Sequence, residues 1–327
     1  MRKQTAGAWM GRVVLSVMIL VGIGVASAQE YPTKPIRVWV GFPAGTTTDT
    51  VARLLSKVMQ QELGQPIVVE PKVGANGLIA GLALKTAPPD GYSLFFGGVV
   101  GFTSVFERTN PIDAGKEFEP ISDAMAGPYL MAVSSKLNIN SVDELVAYAK
   151  ARQAGTLVHA VSIANQALVM NAVATAKGFT YTDINVRTMG QIMPLMVTGE
   201  VAMVFNLSAN LAAGLQAKTF RPLFITAARR SPRFPDLPTS GEVGLPGLER
   251  SGILAGFWAP KGTPSAITRR LSTAVQAAVK DPEVVQQYNR LEYDPVISTP
   301  AEQLKIFSET LEFWSKVAKA ANYQPQQ

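Results

Sequence analysis

The sequence predicts an α/β protein with two α/β sets in one chain, and three observations predict it. Short apolar runs alternate with segments of helical period along most of the 327 residues, as a sheet flanked by helices requires. The pattern is already a complete βαβαβ unit by residue 98 and restarts at Ser141. The length agrees, since at about 100–200 residues per domain the chain has room for two, each able to bury a core without staples.

The elements follow in order. Ile36 to Phe42 (IRVWVGF) is β-branched and aromatic and reads as a strand. A helix opens after PAGTTTD, with Val51, Leu54, Leu55 and Val58 at i, i+3, i+4 and i+7. Gly64 followed by Pro66 closes it. Then come the strand PIVVE (66–70), the turn-rich KVGANG, a short helical pattern, the turn PPDG (88–91) and the strand YSLFFGG. In the second set, SVDE at Ser141 is a capping box, and the strand TLVHAVSI (156–163) leads into a helix whose face is Leu168, Val169, Ala172, Val173 and Ala176. GQIMPLMVTGE, the strand VAMVFN (201–206), the helix-like SANLAAGLQA and the strand RPLFITAA (221–228) complete it. Residues 231–247 carry four Pro and three Gly and read as irregular surface chain. The strand GILAGFWAP precedes a helix expected to have Thr263 as N-cap and Pro264 as its first residue. The last helix opens at Ser298-Thr299-Pro300-Ala301-Glu302, a second capping box with Pro where its missing N–H is harmless.

Composition removes several functional classes. With 47% hydrophobic and 17% charged residues the chain is globular. No Cys means no disulfide and no zinc–thiolate framework, and His159 as the single histidine excludes poly-His metal sites and most imidazole chemistry. G-x-S-x-G, H-E-x-x-H and G-x-x-x-x-G-K-[ST] are all absent, and no cofactor or metal is expected. His159 stands in the apolar pattern VHAVS and reads as structural. Arg2, Lys3 and Arg12 precede the apolar run Val13–Val25 and Ala26-Ser27-Ala28, the layout of a secretory signal peptide cleaved after residue 28. The run is too short to span a bilayer. Cleavage takes away three positive and no negative charges, lowering the net charge from +6 to +3. Without a basic tract interleaved with aromatics, nucleic acid is not an expected partner.

The succession from YPTKPIRVWVGFPAGTTTDTVARLL through QPIVVEPKVGANG, APPDGYSLFFG, KEFEPIS, SVDELVAYAK, TGEV, RRSPRFPDLPTSGEVGLPG and FWAPKGTPSAITRRL resembles the Bug-type (TctC-like) receptors of tripartite tricarboxylate transport systems. The likeness covers residues 30–320. It implies a periplasmic binding protein of type II, two α/β lobes joined by hinge strands that close on a small carboxylate. In that frame residues 29–128 with 252–327 form the first lobe, its last helix free to pack across, and 129–251 form the second. The resemblance also implies membrane permease subunits as partners, and a monomeric receptor is expected.

A carboxylate needs donors, which strand–loop–helix junctions at the crevice of an α/β lobe supply. In the first lobe this junction is Phe42 to Asp49, with Thr46, Thr47 and Thr48 adding hydroxyls. Asp49 would repel an anion directly, so it is expected to cap the helix or hold a water. In the second lobe the candidates are Ser162, Asn165 and Gln166, then Arg187 in VRTMG, and Phe205, Asn206 and Ser208. Arg187 stands where the family has Lys and could fork onto a second carboxylate. The chain departs from the family in having Gly45-Thr46 for a glycine pair and VSIANQ for a glycine-rich serine loop. Phe42, Phe102 and Phe205 could sandwich a ring, which extends the expected ligands from di- and tricarboxylates to terephthalate or phthalate. Two other uses remain open: a ligand sensor for a membrane kinase, and an enzyme acting on a carboxylate with Asp49 or Asp183 as base.

Overall fold

The computed structural model describes residues 31–98, 112–186 and 188–320. The expected leader (1–28), Phe102 and Arg187 lie outside these residues. The described residues from Lys34 onward form one compact unit. Both sheets and every helix named below belong to it.

The first sheet has six strands: β1 (Ile36–Val40), β2 (Ile67–Pro71), β3 (Ser93–Gly97), β4 (Phe118–Gly127), β10 (Ile253–Pro260) and β11 (Asp294–Pro295). Their order is β11-β4-β10-β3-β1-β2, with β2, β1 and β3 parallel and β10 antiparallel to both β3 and β4. The second sheet holds β5 (Tyr129–Ser134), β6 (Val158–Val161), β7 (Thr182–Asn185), β8 (Met203–Leu207) and β9 (Phe220–Ile225), in the order β7-β6-β8-β5-β9. Pro128 alone separates β4 from β5, so the chain passes from one sheet to the other there and returns through residues 226–252.

Ten α-helices occur among the described residues: α1 (Thr47–Leu63), α2 (Leu78–Lys85), α3 (Ala114–Glu117), α4 (Val142–Lys150), α5 (Ala164–Lys177), α6 (Met189–Thr198), α7 (Ser208–Gln216), α8 (Ser265–Lys280), α9 (Pro282–Leu291) and α10 (Pro300–Ala320). Helices α1 and α8 pack together, burying Val51, Ala52, Leu55 and Met59 of one with Leu271, Ala274, Val275 and Ala278 of the other. Leu54 and Val58 are only half-buried, so the apolar face is turned from the expected one by one position. The second sheet has its own core around Leu130, Ala132, Ala160, Ile192, Met196, Val204 and Leu211, all without exposure. The long α10 packs on β4, buries Phe307 (against Trp258 of β10) and Trp314, and also meets α5 of the other sheet.

The caps show how the sequence signals are used. Ser141 accepts from the Glu144 amide (3.1 Å), but the Glu144 carboxylate reaches back to the Asn140 amide, one residue before the expected return bond. Thr299 and Glu302 form a reciprocal pair at α10, with Pro300 as its first residue. The expectation at α8 is corrected. The helix begins at Ser265 with Pro264 as N-cap, because the Thr263 hydroxyl is bonded to the Pro260 carbonyl at 2.7 Å and closes the preceding turn.

Candidate functional site

Between the two sheets lies a cavity of about 980 Å³. Several helix amino ends open onto it: Thr46 to Thr48 at α1, Ser162 and Ile163 at α5, Thr188 and Met189 at α6, and Leu207 at α7. A helix start leaves backbone N–H groups without intrahelical partners and carries the positive end of the dipole. At α1, α6 and α7 the side chain of the N-cap residue makes no capping bond. Together these starts line the cavity with backbone donors of the kind that suits an anion.

At α1 the local chemistry sets the loop. The Thr46 hydroxyl donates to the Pro43 carbonyl at 2.7 Å, so it closes the turn and leaves the first-turn amides uncapped. Asp49 is buried and does not line the cavity. Its carboxylate accepts from the Gly45 amide (3.0 Å) and from Arg53 through Nε (3.0 Å) and Nη2 (2.9 Å). Burial opposes its ionisation, but the bonds from Arg53 and Gly45 and the Arg53 charge prevail and hold the carboxyl below its ordinary range. The helix start thus keeps its positive field, because the one acid in its first turn is neutralised.

At α5 the Gln166 side chain turns back on its own helix start, accepting from the Ser162 amide (2.8 Å), the Ser162 hydroxyl (3.0 Å) and the Ile163 amide (3.3 Å). Asn165 is buried and donates to the Tyr129 hydroxyl at 2.8 Å, while its Oδ1 has no protein partner. Burial pushes the Tyr129 phenol up to about 12, against the pull of Asn165, so it stays a neutral hydroxyl at the cavity wall. Asn206 Oδ1 accepts from the Leu207 amide and from Asn210, both at 2.8 Å, fixing the start of α7.

The structure therefore brings Phe42, Thr46, Thr47, Thr48, Ser162, Asn165, Gln166 and Asn206 to one cavity. Asp49 and Ser208 lie beside it, both buried. Phe205 has no exposure and packs against Tyr129 (centroids 5.2 Å apart) and Phe224 (6.2 Å), one layer behind the wall. The aromatic wall is instead Phe42, Phe95, Tyr129 and Trp314. Sequence reading missed Tyr129, Thr226, Arg250 and Trp314. Tyr129 opens β5 and Thr226 directly follows β9, both at the crossings, and Arg250 and Trp314 are distant in sequence from every strand–loop–helix junction. His159 is fully buried away from the cavity, its Nδ1 2.7 Å from Asp183 Oδ1 and its ring edge-on to Tyr181. No group of three or more His, Cys, Asp or Glu that could hold a metal exists among the described residues.

Two α/β sheets facing a cavity built of helix amino ends define the class of solute-binding receptors. Residues 51–323 match the family described as the tripartite tricarboxylate transporter family receptor, and the chain belongs to that family. It is 28% identical to Protein BugT of Bordetella pertussis, over 93% of this chain and 96% of that one. Among solved structures it is similar to Rpa4515 of R. palustris with adipate (TM-score 0.80, 28% identity, 90% of this chain and 100% of that one). It is also similar to MatC of Rhodopseudomonas palustris with bound malate (TM-score 0.76, 26% identity, 88% and 99%).

Proposed function

We propose that the protein is a periplasmic receptor that captures a small carboxylate by closing its two lobes, residues 29–128 with 252–327 and residues 129–251, and delivers it to the membrane subunits of a tripartite transporter. The observation that carries this reading is the meeting of several helix starts at one cavity whose N-cap side chains leave the backbone amides free at α1, α6 and α7. Backbone amides and dipole ends suit a carboxylate, and Thr46, Thr47, Thr48 and Ser162 add hydroxyl donors.

The neighbours with adipate and malate support a dicarboxylate. Phe42, Phe95, Tyr129 and Trp314 line the cavity, and an aromatic lining supports terephthalate or phthalate among the diacids. In this reading the protein works as a monomer after removal of residues 1–28.

The test is a thermal-shift panel on the mature chain with aliphatic di- and tricarboxylates, acidic amino acids, benzoate, phthalate and terephthalate. A true ligand at a thousand times its Kd stabilises by about 4 kcal/mol. A shift with at least one of these acids is expected. Silence across the panel would overturn the carboxylate reading, and a shift with aliphatic acids alone would remove the aromatic one.

A further inference from the structure

We propose that Arg250 receives the far carboxylate of a diacid ligand and thereby selects diacids over monoacids, an inference that rests on the carboxylate reading above. The helix starts provide backbone donors for one carboxylate in a cavity of about 980 Å³. A second carboxylate needs its own donors. Four charged side chains line the cavity among the described residues, Glu249, Arg250, Asp294 and Glu309, and Arg250 is the single cation.

The state of Arg250 is what a capturing group requires. Its Nη1 lies 3.7 Å from Glu309 Oε2, beyond hydrogen-bond reach. The two side chains are 52% and 46% exposed, so the pair is screened and weak. Arg53 is the contrast, since it is locked by two bonds of 2.9–3.0 Å to a buried Asp49 and has little freedom to serve a ligand. Glu249, adjacent in sequence, is turned onto its own backbone, accepting from the Gly247 amide at 2.8 Å. A guanidinium has five donors in a planar fork that fits a carboxylate through two parallel bonds. Such a bidentate contact outcompetes the long Glu309 pair, so Glu309 acts as the resident anion that a ligand carboxylate replaces.

Both groups are carried by firm structure. Arg250 closes the short turn Leu248–Arg250 that leads into β10, and Glu309 sits on α10 between the buried Phe307 and Trp314. The far site therefore has a fixed place on the cavity wall, where the last helix and the return segment meet.

The experiment is calorimetric titration of the full mature chain, Arg250→Gln and Glu309→Gln, with matched acids: terephthalate against benzoate, and a six-carbon aliphatic diacid against its monoacid. Arg250→Gln should weaken the diacid by about tenfold or more, the worth of one charge-assisted contact, and leave the monoacid within about twofold by the same scale. Glu309→Gln should tighten the diacid several-fold by removing the competitor. Equal losses for both members of a pair, no loss for the diacid, or a wild type that prefers monoacids would each overturn the assignment of Arg250 while leaving carboxylate capture standing. If the wild type binds none of these acids, the carboxylate reading itself falls, and this inference with it.

Discussion

Two buried carboxylates respond to acid in opposite directions, each for a reason visible in its immediate surroundings. Asp49 is held below its ordinary value by Arg53 and the Gly45 amide, despite burial. Its folded-state value is the lower one, so its stabilisation is complete above about pH 4 and fades as pH falls through the folded value. Asp49→Asn is expected to lower stability by about 1–3 kcal/mol at pH 7, to weaken ligand binding through the loosened Gly45–Thr48 loop, and to approach the wild type as pH falls toward 3. Urea midpoints across that range check it. Asp123 on β4 is 4% exposed, and burial pushes its carboxyl up to about 6 against the pull of the Ser298 hydroxyl at 2.9 Å. Here the folded form holds the proton more tightly than the unfolded chain. The advantage is present below about pH 4 and is lost as pH rises to about 6, a change of about 3 kcal/mol. Relative to the wild type, Asp123→Asn should therefore gain stability between pH 4 and 7, and parallel profiles for the two proteins would refute the assignment.

At the scale of elements, the strands that the sequence announced, β1, β2, β3, β6, β8, β9 and β10, match the expected segments to within three residues at their ends, while the apolar and wholly buried β5 was not read as a strand. Strand β4 gave no such signal, because FEPISDAMAG puts Ser122 and Asp123 inside the protein, where Ser298 satisfies them through bonds made 175 residues away in sequence. Strand β7 (TDIN) is a mostly exposed edge and has no apolar run to read. The site was legible to the same extent. Junction residues such as Thr46 and Ser162 follow from the local strand–loop–helix order, whereas Tyr129, Arg250 and Trp314 reach the cavity only through tertiary placement. One close approach shapes the first junction: a Cβ on Gly41 would lie 2.4 Å from Gly77 Cα, backbone against backbone. Gly41→Ala must force the end of β1 away from the turn before α2. It should cost about 1–3 kcal/mol and lower ligand affinity. Gly45→Ala meets nothing within 4 Å and carries only the strain of its φ of +80°, about 1 kcal/mol. Melting curves and titrations of the two variants should thus differ, and equal losses would count against a packing constraint at Gly41.

Across the whole molecule, the ligand cavity and the sheet-to-sheet crossings are the same places. Gly127, Pro128 and Tyr129 form the first crossing, Thr226 and Ala227 begin the return, Gly252 to Ala255 end it, and all of them line the cavity. The crossing strands are tied to each other, since the Tyr129 amide donates to the Thr226 hydroxyl and the Thr226 amide to the Tyr129 carbonyl, both at 2.9 Å. Helix α10 adds a third link, with Trp314 at the cavity and contacts to α5. On the proposed reading, a ligand that drew the lobes together would load all three connections at once, and its binding energy would be divided between contact and closure. Hydrogen exchange reads this directly, because closure slows the opening of amides that no ligand atom touches. With a saturating ligand from the panel, protection is expected at residues 41–49 and 162–166, at the crossings 126–130 and 252–256, and along the buried turns of α10. Protection confined to one sheet would mean that the ligand binds an open cleft, and the closure mechanism would have to be given up even though the receptor still binds.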